Sequence, residues 1–257
     1  MKLKKSLAIA AMASLAAIPA ATAVATAQTG SPAPKTATSQ AASPSKAAKA
    51  SEKTDDVDEG IVCDQVFHIG DSLSVGGKAA GLADAYADVV GAEDVEVLAT
   101  GGQAIIEKTK GVSGADAIAS LASRADDDTC WVIAFGTNDA NNIAAGSGVD
   151  AEERIDKAIA ATGGKGHIWW VGPAVDPDKT TFAEQAEEFT AAAKKAKRSG
   201  DLDGVIDFGK FLADDEWSGT GGDGIHLADY KEYVDFVTGS LELQMASADS
   251  PYDDGSF

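Results

Sequence analysis

Three short blocks carry the reactive side chains of this chain: Gly70-Asp71-Ser72-Leu73, Gly136-Thr137-Asn138-Asp139 and Asp223-Gly224-Ile225-His226. The first stands directly behind the apolar run Val66-Phe67-His68-Ile69. A strand that ends this way delivers Ser72 to the C-terminal edge of a sheet, where open α/β folds keep their ligands. The helix that follows would present free N–H groups to an oxyanion formed beside Ser72. Taken alone, Ser72 is either a nucleophile or the cap of that helix. Asp223 and His226 favour the nucleophile, because a serine hydroxyl attacks only when a base takes its proton and a third group fixes the base's tautomer. Three residues apart, the two can meet within one turn and leave the other imidazole nitrogen for Ser72. Gly219, Gly221, Gly222 and Gly224 make the segment a loop, where catalytic residues commonly sit. Of the three histidines, His68 lies inside a strand and reads as packed, and His167 opens another and reads as structural or surface. His226 is left as the base.

Acyl transfer also needs donors for the oxyanion. The side-chain amide of Asn138, behind its own apolar run, is one candidate, although Asn138 and Asp139 would equally suit a polar turn. Thr100-Gly101-Gly102-Gln103 offers a second, since a glycine N–H approaches a substrate without steric conflict. Gly102 is preferred to Gly101. Trp217, six residues before Asp223, is either a stacking surface in the substrate pocket or an ordinary loop anchor.

These residues must be positioned by a sheet. Apolar runs at Val62–Ile69, Val95–Ala99, Cys130–Phe135, His167–Val171 and Val205–Phe208 read as strands. Between them, amphipathic stretches at Val75–Val90, Ala115–Ala125, Ala151–Ala161, Phe182–Arg198 and Asp229–Leu243 read as helices. Asp150 with Glu153 gives the third a capping-box start, and Gly163 and Gly200 stand where helices stop. Strand alternating with helix predicts an α/β fold, a flavodoxin-like three-layer α/β/α sandwich with a five-stranded parallel sheet. The consecutive Trp169 and Trp170 would face opposite sides of it and pack under helices.

Gly-Asp-Ser-Leu near the start, a glycine after the second strand, Gly-Thr-Asn-Asp, and Asp-x-x-His near the end resemble, in order, the four blocks of the SGNH, or GDSL, hydrolases. The resemblance implies Ser72 as nucleophile, His226 as base and Asp223 as its orienting acid. It also implies an oxyanion hole made by Ser72, Gly102 and Asn138. The elbow of ordinary α/β-hydrolases, Gly-x-Ser-x-Gly, is missing around Ser72. Members of the family include carbohydrate acetylesterases, lipases, thioesterases and O-acetyltransferases, so substrate does not follow from fold. The expected activity is removal of short acyl groups, foremost acetyl, from an envelope or extracellular glycan or glycolipid. O-acetyl transfer from a separate donor, and an inactive binding module of the same fold, are the alternatives. No metal or organic cofactor is implied, and the protein is expected to act as a monomer.

The flanks bound the setting. Lys2, Lys4 and Lys5, the apolar stretch Leu7–Ile18 and the small residues Ala25-Thr26-Ala27 read as an export signal over 1–27. Residues 28–59, nearly all Ala, Ser, Thr, Pro and Lys until the acidic end, read as a disordered linker. The hydrolase domain is expected over 60–245, with a flexible tail from 246 to 257. The mature protein is expected outside the cytoplasm without a membrane span, since no later segment approaches the roughly 20 apolar residues required. The formal charge of −20 disfavours nucleic acid as a partner. In an exported chain the two cysteines, Cys63 and Cys130, invite a disulfide, with separate buried thiols as the alternative. Each precedes a catalytic block by a similar interval, which puts both near one rim of the sheet if their strands are neighbours.

Overall fold

A computed structural model describes residues 61–247. The expected export signal and linker lie outside the described residues, as does the tail beyond Ser247. The strands are β1 (Gln65–Gly70), β2 (Asp94–Ala99), β3 (Thr129–Ala134), β4 (His167–Val171) and β5 (Gly204–Ile206). They form one five-stranded parallel sheet in the order β2-β1-β3-β4-β5, the flavodoxin-like order. The helices among the described residues are α1 (Ser72–Ala79), α2 (Leu82–Val90), α3 (Gly114–Leu121), α4 (Thr137–Ala144), α5 (Ala151–Ala161), α6 (Ala183–Ser199), α7 (Phe208–Asp214) and α8 (Tyr230–Ser247).

Register is what gathers the chemistry. Gly70 pairs with Ala99 on one side and with Ala134 on the other. The chain therefore leaves β1, β2 and β3 at one level, and the segments carrying Ser72, Gly101-Gly102 and Asn138 start side by side. Alternation along the strands builds a core on each face. Val66, Cys130, Val132, Trp169 and Val171 pack under α2 and α8, where Leu82, Tyr86, Tyr233 and Leu241 meet them. Phe67, Ile69, Trp131, Ile133, Ile168 and Trp170 face α3, α5 and α6, against Ile118, Ile155 and Phe189. Trp169 and Trp170 thus bury on opposite faces, as their adjacency predicts. All six residues of β3 are buried, as expected for a strand covered on both sides.

Several details differ from the sequence reading. The first helix begins at Ser72 because the Asp71 side chain caps it, accepting the Leu73 N–H at 3.1 Å. It does not run to Val90: Gly81 at φ +94° separates α1 from α2. The helices α4 and α7 were not legible as such. The sequence Thr-Asn-Asp-Ala-Asn-Asn-Ile-Ala of α4 is short and mostly polar, with a stripe of only Ala140, Ile143 and Ala144, while α7 follows so closely on β5 that Phe208 reads as strand. At the other end, Ala246 and Ser247, expected in the tail, continue α8. Asp150 does cap α5 by accepting the Glu153 N–H at 2.9 Å, but the reciprocal capping box is on α3, between Ser113 and Asp116.

Cys63 and Cys130 form a disulfide with their Cα atoms 5.4 Å apart, tying the segment before β1 to the start of β3 at the N-terminal rim. It closes a sequence separation of 67 residues, which in the chain-entropy model stabilises by about 4 kcal/mol. No helix of the described residues is long and apolar enough to cross a membrane.

Candidate active site

Ser72 is the first residue of α1, so its N–H belongs to the set that the helix itself cannot satisfy. Its Oγ lies 2.9 Å from Nε2 of His226. On the far side of the ring, His226 Nδ1 lies 2.6 Å from Oδ2 of Asp223. The other oxygen of Asp223 accepts the backbone N–H groups of Ile225 and His226, each at 3.0 Å. These bonds, the one to the imidazole first, hold the Asp223 carboxyl down at about 2. An ionised Asp223 keeps the proton on Nδ1 and turns the Nε2 lone pair toward Ser72. The stem of the loop is closed by Gly221 N–H to His226 O at 2.6 Å and Ala228 N–H to Gly219 O at 3.0 Å. Both acidic and basic members are half-open to solvent, Asp223 at 53 % and His226 at 46 % side-chain exposure.

The expected oxyanion donors flank this line. Thr100 to Gln103 form a β-turn, closed by Gln103 N–H to Thr100 O at 3.2 Å and tied to β1 by Thr100 N–H to Gly70 O at 3.1 Å. Gly102 carries the turn's positive φ of +76°, and its carbonyl accepts the Thr109 hydroxyl at 2.8 Å. Asn138 is the second residue of α4, not part of a turn. Its amide nitrogen sits between two acceptors at 3.2 Å, Oδ2 of Asp71 and the carbonyl of Gln103. Asn138 therefore bridges Asp71, the neighbour of Ser72, and Gln103 of the glycine turn, beside the separate line of Ser72, His226 and Asp223.

Asp71, which the sequence reading passed over, is only 2 % exposed. Burial pushes its carboxyl up to about 7, with the Asp139 charge adding and the Leu73 N–H and Asn138 amide opposing. Behind Asn138 stands a second missed group. Arg154 is fully buried on α5 and donates to Asp139 Oδ1 at 2.7 Å, to both oxygens of Glu107 at 2.6 and 2.5 Å, to Ser147 Oγ at 2.8 Å and to the Val149 carbonyl at 3.1 Å. Asp139 also accepts the Ile105 N–H at 2.9 Å. The cluster thus fastens the loop after Gly102 to α4, which carries Asn138. Arg154 pulls Glu107 down to about 2, while burial outweighs it at Asp139 and raises that carboxyl to about 6. A signal was available: Ala151, Arg154, Ile155 and Ala158 share one helical stripe, and three of the four are apolar.

The remaining histidines do structural work. His68 is buried, with Nδ1 2.8 Å from the Tyr86 hydroxyl and Nε2 2.8 Å from Ser74 Oγ, and burial lowers it to about 3. It is a neutral packed residue under α1. His167 pairs with Asp203 at 3.0 Å on the surface. Trp217 is half-buried beside the core that α7 and α8 cover, and lines a groove next to the site.

No family model and no curated protein matches the chain. Solved structures do. The aryl esterase of M. smegmatis superposes with a TM-score of 0.58 at 16 % identity, covering 72 % of this chain and 100 % of that one. A carbohydrate acetylesterase family member from Sinorhizobium meliloti gives 0.54 at 17 % identity, covering 72 % and 100 %. The C-terminal catalytic domain of peptidoglycan O-acetyltransferase A from Streptococcus pneumoniae, carrying a methylsulfonyl adduct, gives 0.53 at 12 % identity, covering 73 % and 95 %. At these identities the likeness is one of fold alone, the α/β sandwich that these structures share with this chain.

Proposed function

We propose that this chain is a serine esterase of the SGNH/GDSL family that removes short acyl groups, foremost acetyl, from an extracellular or envelope glycan or glycolipid. The observation that carries the reading is the line Asp223–His226–Ser72, with bonds of 2.6 and 2.9 Å. His226 Nε2 takes the hydroxyl proton as Ser72 Oγ attacks the ester carbonyl carbon. The oxyanion is met by the N–H groups of Ser72 and Gly102 and by the amide of Asn138, which exchanges its bond to the Gln103 carbonyl for one to the substrate. His226 then gives its proton to the departing alkoxide, leaving acyl-Ser72. Water, deprotonated by His226, attacks the acyl carbon; the bond to Ser72 Oγ then breaks, the carboxylic acid leaves, and Oγ takes the proton back from His226. Each oxyanion donor of this kind is worth about 3 kcal/mol where it has been removed.

The same acyl-enzyme serves O-acetyl transfer if a sugar hydroxyl replaces water. The likeness to an O-acetyltransferase domain keeps that as the second reading. Export by the N-terminal segment, with cleavage after Ala27, agrees with a disulfide-bonded domain, and we expect it to work as a monomer. The strong acidity of the chain argues against polyanionic partners. The test is hydrolysis of p-nitrophenyl acetate and octanoate by protein lacking residues 1–27, with Ser72→Ala as control. Acetate turnover lost in the variant supports the esterase. A preference for octanoate moves the substrate to lipids, and turnover that survives in Ser72→Ala overturns the mechanism.

A further inference from the structure

A groove of about 450 Å³ opens beyond the ends of β4 and β5, between the loop after β4, α6 and α7. This volume lies within the roughly 300–1,000 Å³ of ordinary ligand pockets. Its lining is of two kinds. Pro173, Val175 and Trp217 supply apolar surface, while Glu187, Lys210 and the ion pair of Lys194 with Asp207, at 2.6 Å, are polar.

The groove adjoins the catalytic residues. Pro173 also lines a small void against Asp71 and Leu73. In the same loop, the Asp176 N–H donates to the Gly224 carbonyl at 2.8 Å, so the groove's wall is fastened to the turn between Asp223 and His226. From the other side, Thr220 donates to the Trp217 carbonyl through its N–H at 3.0 Å and its hydroxyl at 2.8 Å. Trp217 and the catalytic pair thus sit on one braced loop. The loop holds Trp217 in a conformation that L residues avoid: Glu216 and Trp217 have φ of +51° and +58°. These two residues end α7, with the Trp217 N–H on the Leu212 carbonyl at 2.8 Å, and so fix where Trp217 stands.

We propose that this groove binds a pyranose unit of a neutral glycan, with Trp217 as the stacking face and Asp207, Lys194 and Glu187 as partners for hydroxyl groups. The proposal rests on the esterase reading and names the part of the substrate that is not cleaved. A sugar ring has an apolar C–H face and a polar hydroxyl edge, which this mixed lining meets. An acyl chain has no use for the ion pair. A polyanionic glycan is disfavoured by Asp214, Asp215 and Glu216, which run up to Trp217.

The test is comparative. Wild type, Trp217→Phe and Trp217→Ala are assayed on p-nitrophenyl acetate and on acetylated xylo- and chito-oligosaccharides. The ratio of kcat/KM for the best oligosaccharide to that for the small ester should fall at least tenfold in Trp217→Ala, chiefly through KM, and recover in Trp217→Phe. A ratio unchanged in Trp217→Ala overturns the proposal and makes Trp217 a support of the catalytic loop. Binding is read separately in Ser72→Ala by tryptophan emission. Trp131, Trp169 and Trp170 are all at most 1 % exposed, so Trp217 is the tryptophan a ligand can reach. A saturable change with an oligosaccharide, weakened at least fivefold by Asp207→Asn, supports the groove even where no ester is turned over. No saturable change with any of them, or saturation by octanoate instead, overturns it.

Discussion

Replacing Arg154 by methionine tests whether the buried ion cluster behind Asn138 is a structural necessity. The guanidinium is fully buried and is one of two groups that Asp139 Oδ1 accepts from, the other being the Ile105 N–H. The second oxygen of Asp139 has no partner at all. Methionine fills similar volume but leaves this carboxylate in an apolar site with a single donor. Removing one member of a buried pair costs about 3–5 kcal/mol. Glu107 is partly exposed and regains water, so it adds little. For a domain of this size each kcal/mol lowers Tm by about 2–4 °C, giving an expected drop of roughly 6–20 °C. The loss should depend on pH with a definite sign. Asp139 already has a folded-state value near 6, above its ordinary 3.8, and loses its counter-charge in the variant. The folded state then binds more protons than the unfolded one, so stability falls as pH rises from about 4 through the folded value. The deficit of Arg154→Met should be smaller at pH 5 than at pH 8. Urea unfolding at both pH values measures it, and Asp139→Asn in the same chain should recover part of the loss at pH 8. A deficit below about 1 kcal/mol at pH 8, or one that grows on acidification, refutes the reasoning.

Two further outcomes follow from the same geometry. Asn138→Ala should lower kcat for p-nitrophenyl acetate by about 10²–10³ with less change in KM, since the amide is asked to act on the oxyanion rather than on the bound ester. Equal losses in both parameters, or none, would remove Asn138 from the oxyanion hole. Reducing the Cys63–Cys130 bridge, or replacing both by serine, should cost about 4 kcal/mol in urea unfolding and leave the acetate kinetics of the folded protein intact, because the bridge lies at the opposite rim from Ser72.

The fold and the proposed reacting groups were read from the sequence for different reasons. Alternation of apolar runs and helices predicted the parallel sheet but not its order. The proposed triad was read from residue types in short blocks, one of them in a loop rich in glycine. What escaped was everything decided by tertiary contacts. The mostly polar stretch Thr137–Ala144 carries a stripe of only Ala140, Ile143 and Ala144, and it is held as a helix with Ala140 buried and Asp139 tied to α5. Arg154 beside Glu152 and Glu153 reads as part of a solvated face, although its stripe partners say otherwise. Asp71 looks like a spacer in Gly-Asp-Ser, but its carboxyl caps α1 and reaches Asn138. Gly81 was passed over because Gly76 and Gly77 stand in the same stretch and remain helical in α1, so glycine alone does not mark the break that its left-handed φ makes.

The two halves of the proposed site, the oxyanion side and the proton-transfer side, are built on different physical terms, and this separates activity from stability. The oxyanion side rests on Asp71, Asp139 and Arg154, all buried, so a change there disturbs packing and charge together. On the proton-transfer side, Asp223 and His226 stand half in water on a loop closed by its own backbone bonds. Their substitution removes little buried contact, and surface changes of this sort usually stay within about 0.5 kcal/mol. Asp223→Asn should therefore leave the unfolding midpoint nearly unmoved while lowering kcat, by up to about 10⁴-fold if the orienting acid acts as it does in buried triads. Solvent competes for His226 Nδ1 here, so a smaller loss would mean that water takes over part of the orienting role. A variant as active as wild type would mean that Asp223 shapes the loop and orients nothing.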